Sequence, residues 1–144
     1  MTTLKGQIRI GYFENFKGED SILISVDING LLELEDLFLK LAEGLNEFDF
    51  SQLNSLDSIF KLKIKAYNDK DNIGLKQTEP KTYEWKVSKE KWGVFRERIT
   101  GLRMNVVSGH QYLDSDFVDN DDLQVIISLN EYPLTFWLKH KIGF

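Results

Sequence analysis

Five aspartates crowd into one short stretch, at Asp114, Asp116, Asp119, Asp121 and Asp122. Hard divalent cations such as Ca²⁺ and Mg²⁺ are held by oxygen ligands of this kind. The spacing does not follow the EF-hand loop: counted from Asp114, the sixth position is Asp119 where that loop needs glycine, and the twelfth is Val125 where it needs glutamate. Two further readings stay open, a solvated turn and a carboxylate surface that meets a basic partner. Just upstream stands His110, close in sequence to Ser108, Tyr112 and Asp114. An imidazole titrates near neutrality and can act as general acid or base. A small hydrolase or ligand-binding enzyme using His110 with an aspartate is therefore the enzymatic alternative, although a serine nucleophile such as Ser108 needs its base brought within hydrogen-bond reach by the fold.

The remaining chemistry is thin. The sequence contains no G-x-S-x-G, no Walker loop, no G-x-G-x-x-G and no H-E-x-x-H. Cysteine is absent, which removes disulfides, thiolate metal sites and cysteine nucleophiles. The two histidines, His110 and His140, lie far apart and make a poor zinc site. No metal or cofactor is expected.

At 144 residues the expectation is a single domain, 1–144, and the 42% apolar content supports a true core. The first residues, MTTLKGQIRI, lack the pattern of a signal peptide, and no apolar run approaches a membrane helix, so a cytoplasmic protein with no membrane contact is expected. The net charge of −5 is unevenly spread: residues 1–60 carry −7, residues 61–103 carry +6 and residues 104–144 carry −4. The acidic balance argues against direct nucleic-acid binding, which uses clustered Lys and Arg on phosphates. Acidic segments sharing a face would instead attract a basic partner.

These residues need elements to position them. Residues 7–13 (QIRIGYF) and 21–28 (SILISVDI) alternate as strands, with a polar loop between them that makes an antiparallel hairpin the simplest pairing. Leu31, Leu34, Phe38, Leu41, Ala42 and Leu45 then form one apolar stripe at helical spacing. Asn29 or Gly30 is expected as its N-cap, Glu33, Glu35 and Asp36 in its first turns, and Gly44 as its left-handed end. Residues 60–67 (FKLKIKAY) alternate as a half-buried strand with a stripe of lysines in water, and residues 68–80 read as a long loop.

Residues 82–87 (TYEWKV) make the next strand. A helix follows, capped by Ser88, with Trp92, Phe95, Ile99 and Leu102 on its inner face and a basic outer face. Residues 109–113 (GHQYL) and 123–129 (LQVIISL) flank the acidic segment as strands, and Pro133 opens a short C-terminal helix carrying Phe136 and Trp137. The expected fold is α+β, a mainly antiparallel sheet of about six strands in β-β-α-β-β-α-β-β order.

A short acidic α+β chain without a catalytic motif, carrying SGHQYLD…DLQVIISLNEYP, resembles the small cytoplasmic immunity proteins of bacterial polymorphic toxin systems. The resemblance covers overall character and this 26-residue stretch. It implies a non-enzymatic protein that binds and occludes a cognate toxin domain, often a basic nuclease. Tyr112 and the carboxylates of Asp114, Asp116, Asp119, Asp121 and Asp122 would contact that partner.

Overall fold

The computed structural model describes residues 6–16, 18–57, 62–105, 107–114 and 123–140. The α+β class and the mainly antiparallel pairing hold, but the single sheet of six strands is corrected: among the described residues eight strands divide into two four-stranded sheets. The first has the order β1-β2-β8-β7, made of β1 (Ile8–Phe16), β2 (Glu19–Val26), β7 (Gly109–Tyr112) and β8 (Gln124–Leu129). The second has the order β3-β4-β6-β5, made of β3 (Glu47–Asp49), β4 (Lys63–Asn68), β5 (Gly74–Glu79) and β6 (Thr82–Val87). Both share one plan. Outer strands pair antiparallel with the inner ones, and the two inner strands run parallel, β2 beside β8 and β4 beside β6.

Two of the described strands, β3 and β5, are not among those that the sequence pattern predicts. Strand β3 has three residues and is too short to show a period, while β5 lies inside the expected long loop over 68–80. β5 is specified by its partner: a tight turn with Lys81 at φ 59° folds it back on β6, so that Leu75 faces Trp85. The first hairpin turn is also shorter than expected, because β1 runs on to Phe16 through an irregularity after Phe13, and Asn15 adopts φ 50°.

Helix α1 (Ile28–Ala42) starts one turn earlier than its apolar stripe suggests. Its N-cap is Asp27, whose carboxylate accepts from the Gly30 amide at 2.8 Å, and no acidic residue lies in the first turn. Both points correct the expectation of an Asn29 or Gly30 cap followed by carboxylates. The predicted ending holds: Gly44 has φ 114°, with the Gly44 amide donating to Leu41 O and that of Leu45 to Lys40 O, as in a Schellman ending. Asn68 adds a second cap, its amide nitrogen reaching the carbonyls of Leu41 and Leu45. Helix α2 (Lys89–Asn105) has the expected cap, the Ser88 hydroxyl accepting from the Lys91 amide.

The inner faces of both sheets and the apolar faces of α1 and α2 meet in one core. Its centre is an aromatic cluster of Phe38, Trp85, Trp92 and Phe95, each fully buried. The helices are also pinned by charge. Glu35 of α1 takes the Arg103 guanidinium at 3.0 and 3.1 Å and the Thr100 hydroxyl, both from α2. The basic outer face expected for α2 is thus partly consumed. Arg103 is paired, Lys91 is buried over the Phe95 ring, and Arg98 donates to the Tyr112 carbonyl at 2.6 Å.

Burial alone would raise the Glu35 pKa, but the Thr100 and Arg103 bonds outweigh it and hold this carboxyl below its ordinary value. A folded-state pKa below the unfolded one gives stability that is complete above the unfolded pKa and lost as pH falls through the folded one. Urea unfolding of Glu35→Gln should therefore show its largest deficit against the parent at pH 7. That deficit should shrink below about pH 4, the ordinary range of a glutamate. An equal deficit at pH 7 and pH 3 would show that the carboxylate charge contributes nothing.

Helix α3 (Leu134–His140) follows Pro133, whose carbonyl accepts from the Phe136 amide, and it lies over the outer face of the first sheet. Phe13, Leu23, Ile126 and Trp137 form a second, smaller core there, with Phe16, Tyr132 and Phe136 packed on it. Gly11 makes room: a Cβ at this position would stand 2.6 Å from the Trp137 ring. Part of the outer face of the first sheet is therefore covered as well. The outer face of the second sheet carries Lys63 and Lys65, exposed as the alternation predicts, with Lys65 paired to Glu47 on β3. Among the described residues no helix is long and apolar enough to cross a membrane.

Candidate functional site

The stretch singled out in the sequence folds as the β7–β8 hairpin and the turn that leads into α3. Its register sets the site. On the outer face of the first sheet one row runs Arg9, Ser25, Ser128, His110 across all four strands. Beside it, Tyr112 stands opposite Ile126, at the rim of the second core.

The turn at 130–132 is held from three sides. Asn130 adopts φ 56°, its amide donates to Val26 O, and its side chain donates to Val107 O. The Ser25 hydroxyl donates to the Tyr132 carbonyl at 3.2 Å. Fixed in this way, Glu131 reaches back over the row. It accepts from the buried Ser128 hydroxyl at 2.5 Å and lies 3.2 Å from Nδ1 of His110. The His110 ring meets Tyr112 edge-on with centroids 5.8 Å apart. Burial pushes the Tyr132 phenol up, and the neighbouring Glu131 carboxylate and the Tyr112 phenol add to the shift. His110, Tyr112, Glu131 and Tyr132 thus make one polar-aromatic cluster.

Of the residues chosen from sequence, Tyr112 lies in this cluster and is 37% exposed. Asp114 is exposed beyond the end of β7, where its carboxylate lies 3.4 Å from the Val125 amide and helps to close the hairpin. Asp116, Asp119, Asp121 and Asp122 lie outside the described residues. Among the described residues no three or more His, Asp or Glu side chains gather as a metal site. Among the described residues, a carboxylate that meets His110 is that of Glu131. That pairing is hidden from local pattern because the two are brought together by the hairpin. The only hint is that NEYP follows a strand directly, marking a tight exit.

The order of groups matters chemically. A nucleophilic triad places the imidazole between hydroxyl and carboxylate, so that the ring takes the hydroxyl proton. Here the carboxylate of Glu131 sits between Ser128 and His110, and Ser128 is fully buried. This arrangement fixes the imidazole and the turn without activating the Ser128 hydroxyl.

No family model matches this chain, and neither a curated protein nor a solved structure matches it.

Proposed function

We propose that this chain is a non-enzymatic binding domain that occupies and blocks a protein partner, in the manner of the immunity proteins that neutralise bacterial toxins. The observation that carries the reading is Tyr112. It is a large aromatic left more than a third exposed on a strand that pairs with β8 and whose Tyr112 carbonyl accepts from Arg98. Rigid aromatics within a polar rim supply much of the affinity at protein interfaces. Glu131 and Asp114 provide carboxylates beside it, and the further aspartates follow in the chain. Because Arg98 also lies here, the face is of mixed sign, and it would select a partner by matched pairs rather than by bulk attraction.

The test starts from the gene immediately upstream. Its C-terminal domain is expressed with and without this chain, scoring growth, and the two purified proteins are titrated calorimetrically. Rescue with a tight one-to-one complex is the expected result. Tyr112→Ala should then weaken binding by about 30-fold, the loss typical of an interface hot spot. A parent chain that neither rescues growth nor binds would sink the proposal.

A further inference from the structure

A second feature lies at the other end of the same row. A cleft of about 330 Å³ opens between β1, β2 and the turn before α3, lined by Gln7, Arg9, Ser25, Asp27, Asn130 and Tyr132 among others. This is within the range of small-ligand sites, at its lower end. Its floor holds Arg9, only 6% exposed. Burying a guanidinium is costly unless the charge is paired and its donors are used. The pairing within the chain is incomplete. Nε faces Asp57 in a single contact of 3.4 Å and Nη2 donates to the Gln7 side-chain oxygen at 2.9 Å. Nη1 takes no partner among the described residues and is not sealed from solvent.

The rest of the lining supplies both donors and acceptors. On the β1 side the Gln7 amide nitrogen is a further donor, held in place because Gln7 Oε1 is committed to Arg9. The lining also holds acceptors. Asp27 uses Oδ1 for the amides of Gln7 and Gly30, leaving its second oxygen without a partner among the described residues. Asn130 uses its nitrogen for Val107 O, leaving its oxygen. The cleft therefore offers donors to an anionic group and acceptors to an N–H.

We infer that this cleft is a binding site for a carboxylate that carries a neighbouring nitrogen donor, as in a free amino acid or the terminal residue of a peptide. A planar carboxylate matches the fork of a guanidinium. A phosphate dianion fits less well, because its second charge would meet the Asp57 carboxylate beside Arg9 and that of Asp27 in the lining. The cleft shares Tyr132 with the Tyr112 cluster, but the inference does not depend on the proposed partner.

The experiment is a ¹⁵N NMR titration of the whole chain with acetate, alanine and N-acetylalanine. It follows the Arg9 Nε–H signal and the Ser25 and Asn130 amides. The expected result is saturable one-to-one shifts with alanine or N-acetylalanine at millimolar concentration, both tighter than acetate. Preference for alanine identifies a free amino acid, and preference for N-acetylalanine a chain terminus. Arg9→Lys keeps the charge but loses the fork, and should weaken binding about tenfold. Gln7→Leu leaves Arg9 in place should that variant fold poorly, and should weaken binding several-fold. The inference is overturned if none of the three probes moves these signals up to about 10 mM, roughly the weakest binding worth the name. It is equally overturned if the folded variants bind as well as the parent.

Discussion

Trp92→Ala should lower the unfolding free energy by about 3–5 kcal/mol, the range for truncating a large aromatic in a closed core. Trp92 is fully buried where both helices and both sheets converge, with Trp85 at 5.0 Å edge-on, Phe38 at 5.2 Å and Phe95 at 5.7 Å between ring centroids. The surrounding rings are rigid and already interlocked, so they cannot collapse into the space left. The substitution also removes the indole N–H that donates to the Tyr67 carbonyl on β4 at 3.1 Å. For a domain of this size the melting temperature should fall by roughly 10 °C. Trp92→Phe separates the two contributions: it keeps a ring but not the donor, and should cost only about 1–2 kcal/mol. Urea unfolding of both variants decides the matter. A loss below about 1 kcal/mol for the alanine variant would mean that the cluster is loosely packed, contrary to the density of protein interiors.

Gly30→Ala should cost about 2–3 kcal/mol through overpacking. A Cβ at Gly30 would stand 2.3 Å from the Gln7 carbonyl oxygen and 3.0 Å from its carbon, both backbone atoms that cannot rotate aside. Gly6 faces the same junction, where its own Cβ would approach the Gly30 amide at 2.3 Å. The entry to β1 is thus pressed against the first turn of α1, bridged by Asp27, which accepts from the amides of both Gln7 and Gly30. Gly101→Ala is the control. Its Cβ would meet no atom within 4 Å, and within α2 alanine should stabilise by about 0.5–1 kcal/mol. Opposite signs for the two glycines, read from the same thermal melts, would establish close approach as the cause. If both were neutral, the junction would be far looser than described.

What sequence reveals here is whatever is local. The stripes of α1 and α2, the Ser88 cap, the Gly44 ending and the lysine alternation of β4 all follow from neighbours a turn or a residue pair away. What it conceals is set by distant partners. β5 carries one buried side chain of real size, Leu75, and exists because β6 is beside it. The parallel register of β2 on β8 joins Ile22 to Val125, and no periodicity within either strand announces it. Arg9 alternates as a solvent-facing residue should, yet it is buried because the segment around Asp57 and the turn at Tyr132 close over that face. The site divides in the same way. Tyr112 and His110 are two residues apart on one strand and legible as a pair, while Glu131 joins them only once the hairpin has formed.

The shared plan of the two sheets has a consequence for how the chain reaches its shape during synthesis. All four strands of the second sheet come from residues 47–87, so that layer can assemble soon after they emerge. The first sheet joins the beginning of the chain to β8, which ends at Leu129. Until then β2, which will lie at the centre of its sheet, has one unsatisfied edge, the kind of exposed strand that invites pairing with another chain. Contacts between residues so far apart must also overcome the entropy of closing a long loop, which slows folding. The order of synthesis and the order of closure therefore differ. The layer that starts first is completed last, and the hairpin carrying Tyr112 is the piece that completes it.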